Sequence, residues 1–209
     1  MEPPDQTAPE GRERCPVCHL PAVCCLCRHW PRVETRARLA VLQHAKDARR
    51  VSNTGRMLAS LVRGAGLLPY GLPGEALDIG ALAARPESAI LFPKEEAAEL
   101  SPRLFGAGAV PTLFLLDGTW SQGARLARRL MRAGGRVARL PPGPPGRYRL
   151  RRGGQPSRLC TFEAAFRALR ALGEEEPAAR LEACFGQWVE RHLEFRARGG
   201  RPPPPSADF

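Results

Sequence analysis

At 209 residues the chain is long enough for one domain with a real core, and 43% hydrophobic with 25% charged residues is the balance of a soluble globular protein. No stretch approaches the roughly 18 to 20 unbroken apolar residues of a membrane span, and the polar opening MEPPDQTAPEGRER has no apolar signal core, so a cytoplasmic protein is expected. The formal charge of +11 favours polyanionic partners, because each phosphate neutralised by arginine or lysine releases condensed counterions. Only Lys46 and Lys94 are lysines; a GC-rich coding bias accounts for arginine over lysine but not for the surplus.

Residues 1–14 are polar and proline-rich and are expected to be disordered, as is the tail 199–209 with its run Pro202 to Pro205. Between them, Arg36 to Leu42 reads as a strand. Gly55 to Arg63 reads as a helix behind the capping candidates Ser52, Asn53 and Thr54, whose N-terminus is a possible anion site. Ser88 to Phe92 is a short apolar strand closed by Pro93, and Lys94 to Leu100 suits a short helix. Thr112 to Leu116 is the strongest strand signal, a continuous apolar run of the kind buried on both faces. It leads into Asp117-Gly118-Thr119-Trp120 and a helix over Gln122 to Arg132. Arg136 to Leu140 and Tyr148 to Leu150 are further strand candidates, followed by helices over Thr161 to Leu172 and Ala178 to Arg198. The alternation predicts an α/β fold with a largely parallel sheet and a ligand site at the carboxyl ends of its strands.

Of seven cysteines, Cys15, Cys18, Cys24, Cys25 and Cys27 cluster within thirteen residues, whereas Cys160 and Cys184 are isolated. Without an export signal, such a cluster reads as metal ligands before disulfides. Cys15-x2-Cys18 and Cys25-x-Cys27 supply the four thiolates of a tetrahedral zinc, expected to be structural because four thiolates leave no open position. Cys24 is left as a spare thiol; a loose cysteine-rich loop is the plainer alternative.

Asp117 sits where the buried strand ends and a helix begins, a position common both for helix caps and for catalytic carboxylates. The surrounding pieces go further. In order they are Cys15 to Cys18 through Cys25 to Cys27, Gln43 to Arg56, Leu91 to Pro93, Asp117 to Arg125, Tyr148 to Arg151 and Leu159 to Ala164. Together they resemble the DTW-domain family, the tRNA-uridine aminocarboxypropyltransferases, along nearly the whole chain. Departures are Ala45 and Asp47 where that family has Pro and Glu, Cys160 where it has Ser, and an extra Gly123.

The resemblance implies a SPOUT-like α/β domain over 31–198, with a C-terminal trefoil knot, preceded by the zinc segment 15–30. It implies S-adenosylmethionine as co-substrate and tRNA as partner, with the 3-amino-3-carboxypropyl group passing to N3 of a uridine. Nothing points to a membrane or to an obligate protein partner. On that reading Leu91, Phe92, Pro93, Thr119, Trp120, Leu159, Cys160 and Thr161 line the co-substrate pocket, and Asp117 is the candidate base for the imide proton. That role requires a desolvated carboxylate, since an ordinary aspartate is too acidic. Lys46, Arg49, Arg50, Arg56, Arg125, Arg149 and Arg151 are the candidate RNA contacts, joined by Arg128, Arg129, Arg147 and Arg152, with Tyr148 as a stacking platform. Two alternatives stand: a SPOUT-type RNA methyltransferase, and a non-catalytic zinc-bearing RNA-binding protein.

Overall fold

The computed structural model describes residues 14–48, 50, 53–72, 74, 77–150 and 158–200. Most of both tails, with Arg49, Ser52, Arg151 and Arg152, lies outside the described residues. The elements run β1 (Arg38–His44), α1 (Gly55–Leu61), β2 (Gly66–Tyr70), α2 (Ile79–Ala83), β3 (Ser88–Leu91), β4 (Ala98–Glu99), β5 (Thr112–Asp117), α3 (Trp120–Arg132), β6 (Val137–Arg139), α4 (Thr161–Ala171) and α5 (Glu175–Ala197). The six strands form one sheet in the order β2-β1-β5-β3-β6-β4, and every pairing is parallel.

Alternate residues of the apolar strands feed opposite faces, which is why those strands are apolar throughout. Leu39, Val41, Leu113 and Leu115 face a core built with α1, α4, α5 and the cysteine segment. Ala40, Leu42, Phe114 and Val137 face a smaller core with Leu126 and Leu130 of α3. The N-terminal segment is fixed through its backbone: the carbonyl of buried Cys18 accepts the indole N–H of Trp188 at 2.8 Å and lies 3.1 Å from His192 Nε2. A carbonyl only accepts, so His192 carries its proton on Nε2.

Burial, partly offset by that carbonyl, lowers the His192 pKa below 6.5, so the ring stays neutral in the fold. The unfolded chain binds this proton more readily than the fold does. Stability therefore falls as pH drops below 6.5 and through the folded value. Thermal melting between pH 7 and 5 checks this: His192→Gln, which keeps a donor but does not titrate, should lose less stability over that interval than the parent chain.

Two segments differ from the sequence reading. Lys94 to Leu100 is a turn followed by the short strand β4, because Leu100 N–H reaches Arg139 C=O and completes the sheet edge. Tyr148 to Leu150 is no strand: the Tyr148 ring stacks on Trp188 (5.8 Å, 13°) and Leu150 C=O accepts from Arg196. Tyr148 is thereby core packing and not an open stacking platform. The sequence reading did not assign β2 and α2; β2 contains Pro69, which an edge strand tolerates. No helix among the described residues is long and apolar enough to cross a membrane.

Candidate functional site

Strand β5 ends at Asp117, and the turn to α3 is closed reciprocally. Thr119 Oγ1 accepts from Gln122 N–H, while Gln122 Oε1 accepts from Thr119 N–H at 2.6 Å. Helix α4 repeats the device, with Cys160 Sγ accepting from Glu163 N–H and Glu163 Oε2 from Cys160 N–H. Burial holds the Cys160 thiol well above its ordinary value, so it remains protonated.

Between these two capped helices lies a cavity of about 480 Å³, within the range of about 300–1,000 Å³ typical of small-molecule sites. It opens at the carboxyl ends of β3, β5 and β6, where a parallel sheet presents its loops. All eight residues expected to form a pocket, Leu91, Phe92, Pro93, Thr119, Trp120, Leu159, Cys160 and Thr161, line it together. Phe92 and Trp120 meet at 5.9 Å, and Gly123 permits that approach, since a Cβ there would lie 3.2 Å from the Phe92 ring.

The opposite wall is the proline loop 141–145, strapped to α4 by Arg167, whose guanidinium donates to the carbonyls of Pro144 and Pro145. Lys94, Arg139 and Arg167 add positive charge to the lining, and Arg158 lies over the Trp120 ring at 4.9 Å. The sequence reading did not assign these four cations: Lys94 and Arg158 directly flank the Leu91–Pro93 and Leu159–Ala164 pieces, but which flanking cations turn toward the cavity is set by the fold.

Asp117 does not line the cavity. Its carboxylate is completely buried behind the turn. Oδ2 accepts from the Asn53 amide and from Gln43 Nε2 at 3.2 Å, and Oδ1 accepts from the Thr161 hydroxyl at 2.8 Å. A sequence places Asp117 at a strand end but not the depth of that end. Here α1 approaches so closely that a Cβ on Gly55 would stand 2.7 Å from the carboxylate. Tyr70 points its hydroxyl at the same turn; burial, then the charges of Asp117 and Asp47, push its pKa up to about 12.

The anion site expected at the α1 N-terminus is not there. Thr54 is buried with its hydroxyl accepting Phe162 N–H, and Asn53 Oδ1 accepts Arg56 N–H. Arg56, expected to contact RNA, donates instead to the carbonyls of Pro16 and Ala48 and ties the cysteine segment to the 45–48 turn. Arg50 pairs with Asp47 yet stays 62% exposed, and Lys46, Arg125 and Arg149 are exposed. Arg49 and Arg151 lie outside the described residues.

The sulfurs of Cys15, Cys18, Cys25 and Cys27 all lie within 4.8 Å of one another, with Cys15–Cys27 at 3.9 Å and Cys18–Cys25 at 3.8 Å. A regular tetrahedron with Zn–S bonds of about 2.3 Å has sulfurs about 3.8 Å apart, so the donor set fits zinc. Hydrogen bonds from its neighbours, Cys27 foremost, lower Cys18 to about 6, while burial raises Cys25 to about 11. Four thiols this close do not all ionise without a cation between them. Cys24 is buried and lies outside the set.

A family model described as the DTW domain matches residues 12–193. The chain belongs to the DTW-domain family. That family is the one of tRNA-uridine aminocarboxypropyltransferases, so membership implies a tRNA-modifying role and a tRNA substrate. In this DTW protein the Asp, Thr and Trp divide their work: Asp117 is buried beneath the turn, Thr119 caps α3, and Trp120 faces the cavity. No solved structure matches the chain.

Proposed function

We propose that this DTW protein transfers the 3-amino-3-carboxypropyl group of S-adenosylmethionine to N3 of a uridine in tRNA, releasing 5′-methylthioadenosine. The observation that carries the reading is the cavity beside the DTW turn of a family member, walled by an aromatic pair and edged with cations. The SPOUT-like assignment, with the chain knotted around the co-substrate, belongs to the same proposal; its support is the convergence of three strand-end loops and the α4 N-terminus on one cavity.

S-adenosylmethionine would supply a sulfonium whose γ-carbon is open to attack by the imide nitrogen once its proton has passed to solvent, the bond from that carbon to sulfur breaking. Positioning selects that carbon over the methyl. The chain's part is therefore to hold and orient. Leu91, Phe92, Trp120 and Leu159 form the apolar wall suited to the adenine. Lys94 and Arg139, paired at 3.5 Å with Glu96 and Glu99, are lining cations that can exchange those partners for the carboxylate of S-adenosylmethionine. Pro141, Gly143, Pro144 and Pro145 wall the far side. Asp117 serves as a positioning residue: it fixes Thr161 against the end of β5 and holds Gln43 and Asn53 behind the turn. Lys46, Arg50, Arg125 and Arg149 are the exposed cations offered to the tRNA backbone.

The test supplies tRNA and S-adenosylmethionine labelled either in the methyl group or in the carboxypropyl chain. Label from the chain should enter tRNA with 5′-methylthioadenosine as coproduct. Methyl label in tRNA would instead establish a methyltransferase and sink the proposal. Trp120→Ala should weaken uptake of S-adenosylmethionine roughly tenfold or more by calorimetry, since a large buried aromatic contributes on the order of 2 kcal/mol.

A further inference from the structure

A second cavity, of about 710 Å³, lies between the 141–149 segment, α4 and α5. It shares Pro141, Gly143, Pro144 and Arg167 with the cavity beside Trp120, so the proline loop is a partition with a recess on each side. Arg149 of the Tyr148–Arg151 piece and Glu163 of the Leu159–Ala164 piece line it, but the sequence reading did not join them into a recess, because α5 completes the lining.

Its floor is apolar, made by Phe166, Phe185 and Val189, all nearly fully buried. Its rim is basic. Arg147, Arg149, Arg167 and Arg170 line it against Glu163, Glu182 and Glu190. Of those acids, Glu163 is turned inward onto the backbone N–H groups of Arg147 and Cys160. Glu182 is shared between Arg170 at 3.1 Å and Arg147 at 3.8 Å. Arg149 is exposed.

In the middle of α5 the recess is bordered by Gly186, where an added Cβ would meet nothing within 4 Å. Glycine inside a helix is destabilising relative to alanine by roughly 0.5–1 kcal/mol. No neighbour packs close enough to require it, so what its bareness provides is room in the recess.

We infer that this recess binds an unpaired nucleobase of the RNA strand next to the target nucleotide, with Arg149 on its phosphate. The inference rests on the tRNA-modifying reading of the first cavity. Unstacked bases of single-stranded RNA lie against apolar and aromatic surfaces and guanidinium planes, and their phosphates are met by arginine. An apolar floor under an arginine rim, one loop away from the reacting site, offers those contacts to the neighbouring nucleotide.

The experiment measures binding of unmodified tRNA and of S-adenosylmethionine to the full chain and to three variants. Gly186→Ala should melt no lower than the parent, since alanine is the better helix former and nothing packs on the Cα; a lower melt would show that packing requires the glycine and overturn the inference. Gly186→Trp fills the recess and should weaken tRNA binding about tenfold or more, the scale of one lost base contact, with S-adenosylmethionine uptake unchanged. Arg149→Gln should reduce the slope of log affinity against log salt by about 0.7, the value of one phosphate contact on single-stranded nucleic acid. Parent-like tRNA affinity in Gly186→Trp overturns the inference and leaves the transferase reading standing. If Gly186→Trp also loses S-adenosylmethionine, the shared wall has moved and Arg149→Gln decides, an unchanged slope overturning the inference. Failure of the parent chain to bind tRNA removes both.

Discussion

Asp117→Ala is expected to lower the unfolding free energy by about 3–5 kcal/mol, because it strands two buried amide donors and opens a cavity at once. Asn53 and Gln43 both direct N–H groups at Oδ2, and neither has water to turn to. Asp117→Asn should behave differently. An amide oxygen in the Oδ2 position still accepts from Asn53 and Gln43, and an amide N–H in the Oδ1 position meets the Thr161 hydroxyl, which can turn its own hydrogen towards Leu116 C=O. The asparagine variant should therefore fold within about 1 kcal/mol of the parent. Denaturant unfolding of the pair separates scaffold from charge. If the alanine variant unfolds like the parent, the buried network is not what holds the turn. Activity of the well-folded asparagine variant then reads the negative charge alone: retention of most of the rate would show that Asp117 positions and takes no proton.

Removal of the metal carries the second large effect. The purified chain should contain one zinc, and cobalt substituted for it should show the spectrum of a tetrahedral tetrathiolate. Stripping zinc with a chelator, or replacing Cys15 and Cys27 by serine, should cost on the order of 5 kcal/mol. That is less than the roughly 10–16 kcal/mol zinc confers on isolated finger peptides, because most of the core here forms without it. The damage should spread along two backbone contacts: Cys18 C=O to Trp188 and His192 on α5, and Pro16 C=O to Arg56. The pH dependence has a definite sign. With Cys25 raised to about 11 before metal enters, zinc must displace protons, so affinity rises with pH and metal is released on acidification. A chain that binds no zinc and melts unchanged in chelator would refute the assignment.

The parallel α/β class was legible because β1, β3 and β5 are apolar on both faces and the intervening helices carry three- and four-residue spacing. The cluster of Cys15, Cys18, Cys25 and Cys27 was legible because its spacing is local, and the fold brings the four sulfurs together. The eight residues grouped through the family's motifs lie in three separate pieces of sequence, and the fold brings those pieces to one cavity. What was not legible depends on neighbours far along the chain. Arg56 reads as a free cation in a basic run, yet its guanidinium is occupied by Pro16 and Ala48. Tyr148 reads as a platform among arginines, yet Trp188 covers its face. The segment Lys94 to Leu100 has helical composition, but the free edge of β6 claims its backbone.

By itself the sequence determined periodicity, ligand spacing and the order of short motifs, since these rest on neighbours within a few residues. Only the tertiary structure decided that Asp117 lies beneath the turn and Trp120 in the cavity, and that a loop of prolines divides two recesses. Depth and accessibility are set by which distant segments pack against a residue, here Gly55 of α1 against the carboxylate and α4 against the proline loop. Hydrogen-bond competition settles the rest: a buried donor takes the nearest acceptor the fold supplies, wherever in the chain that acceptor comes from.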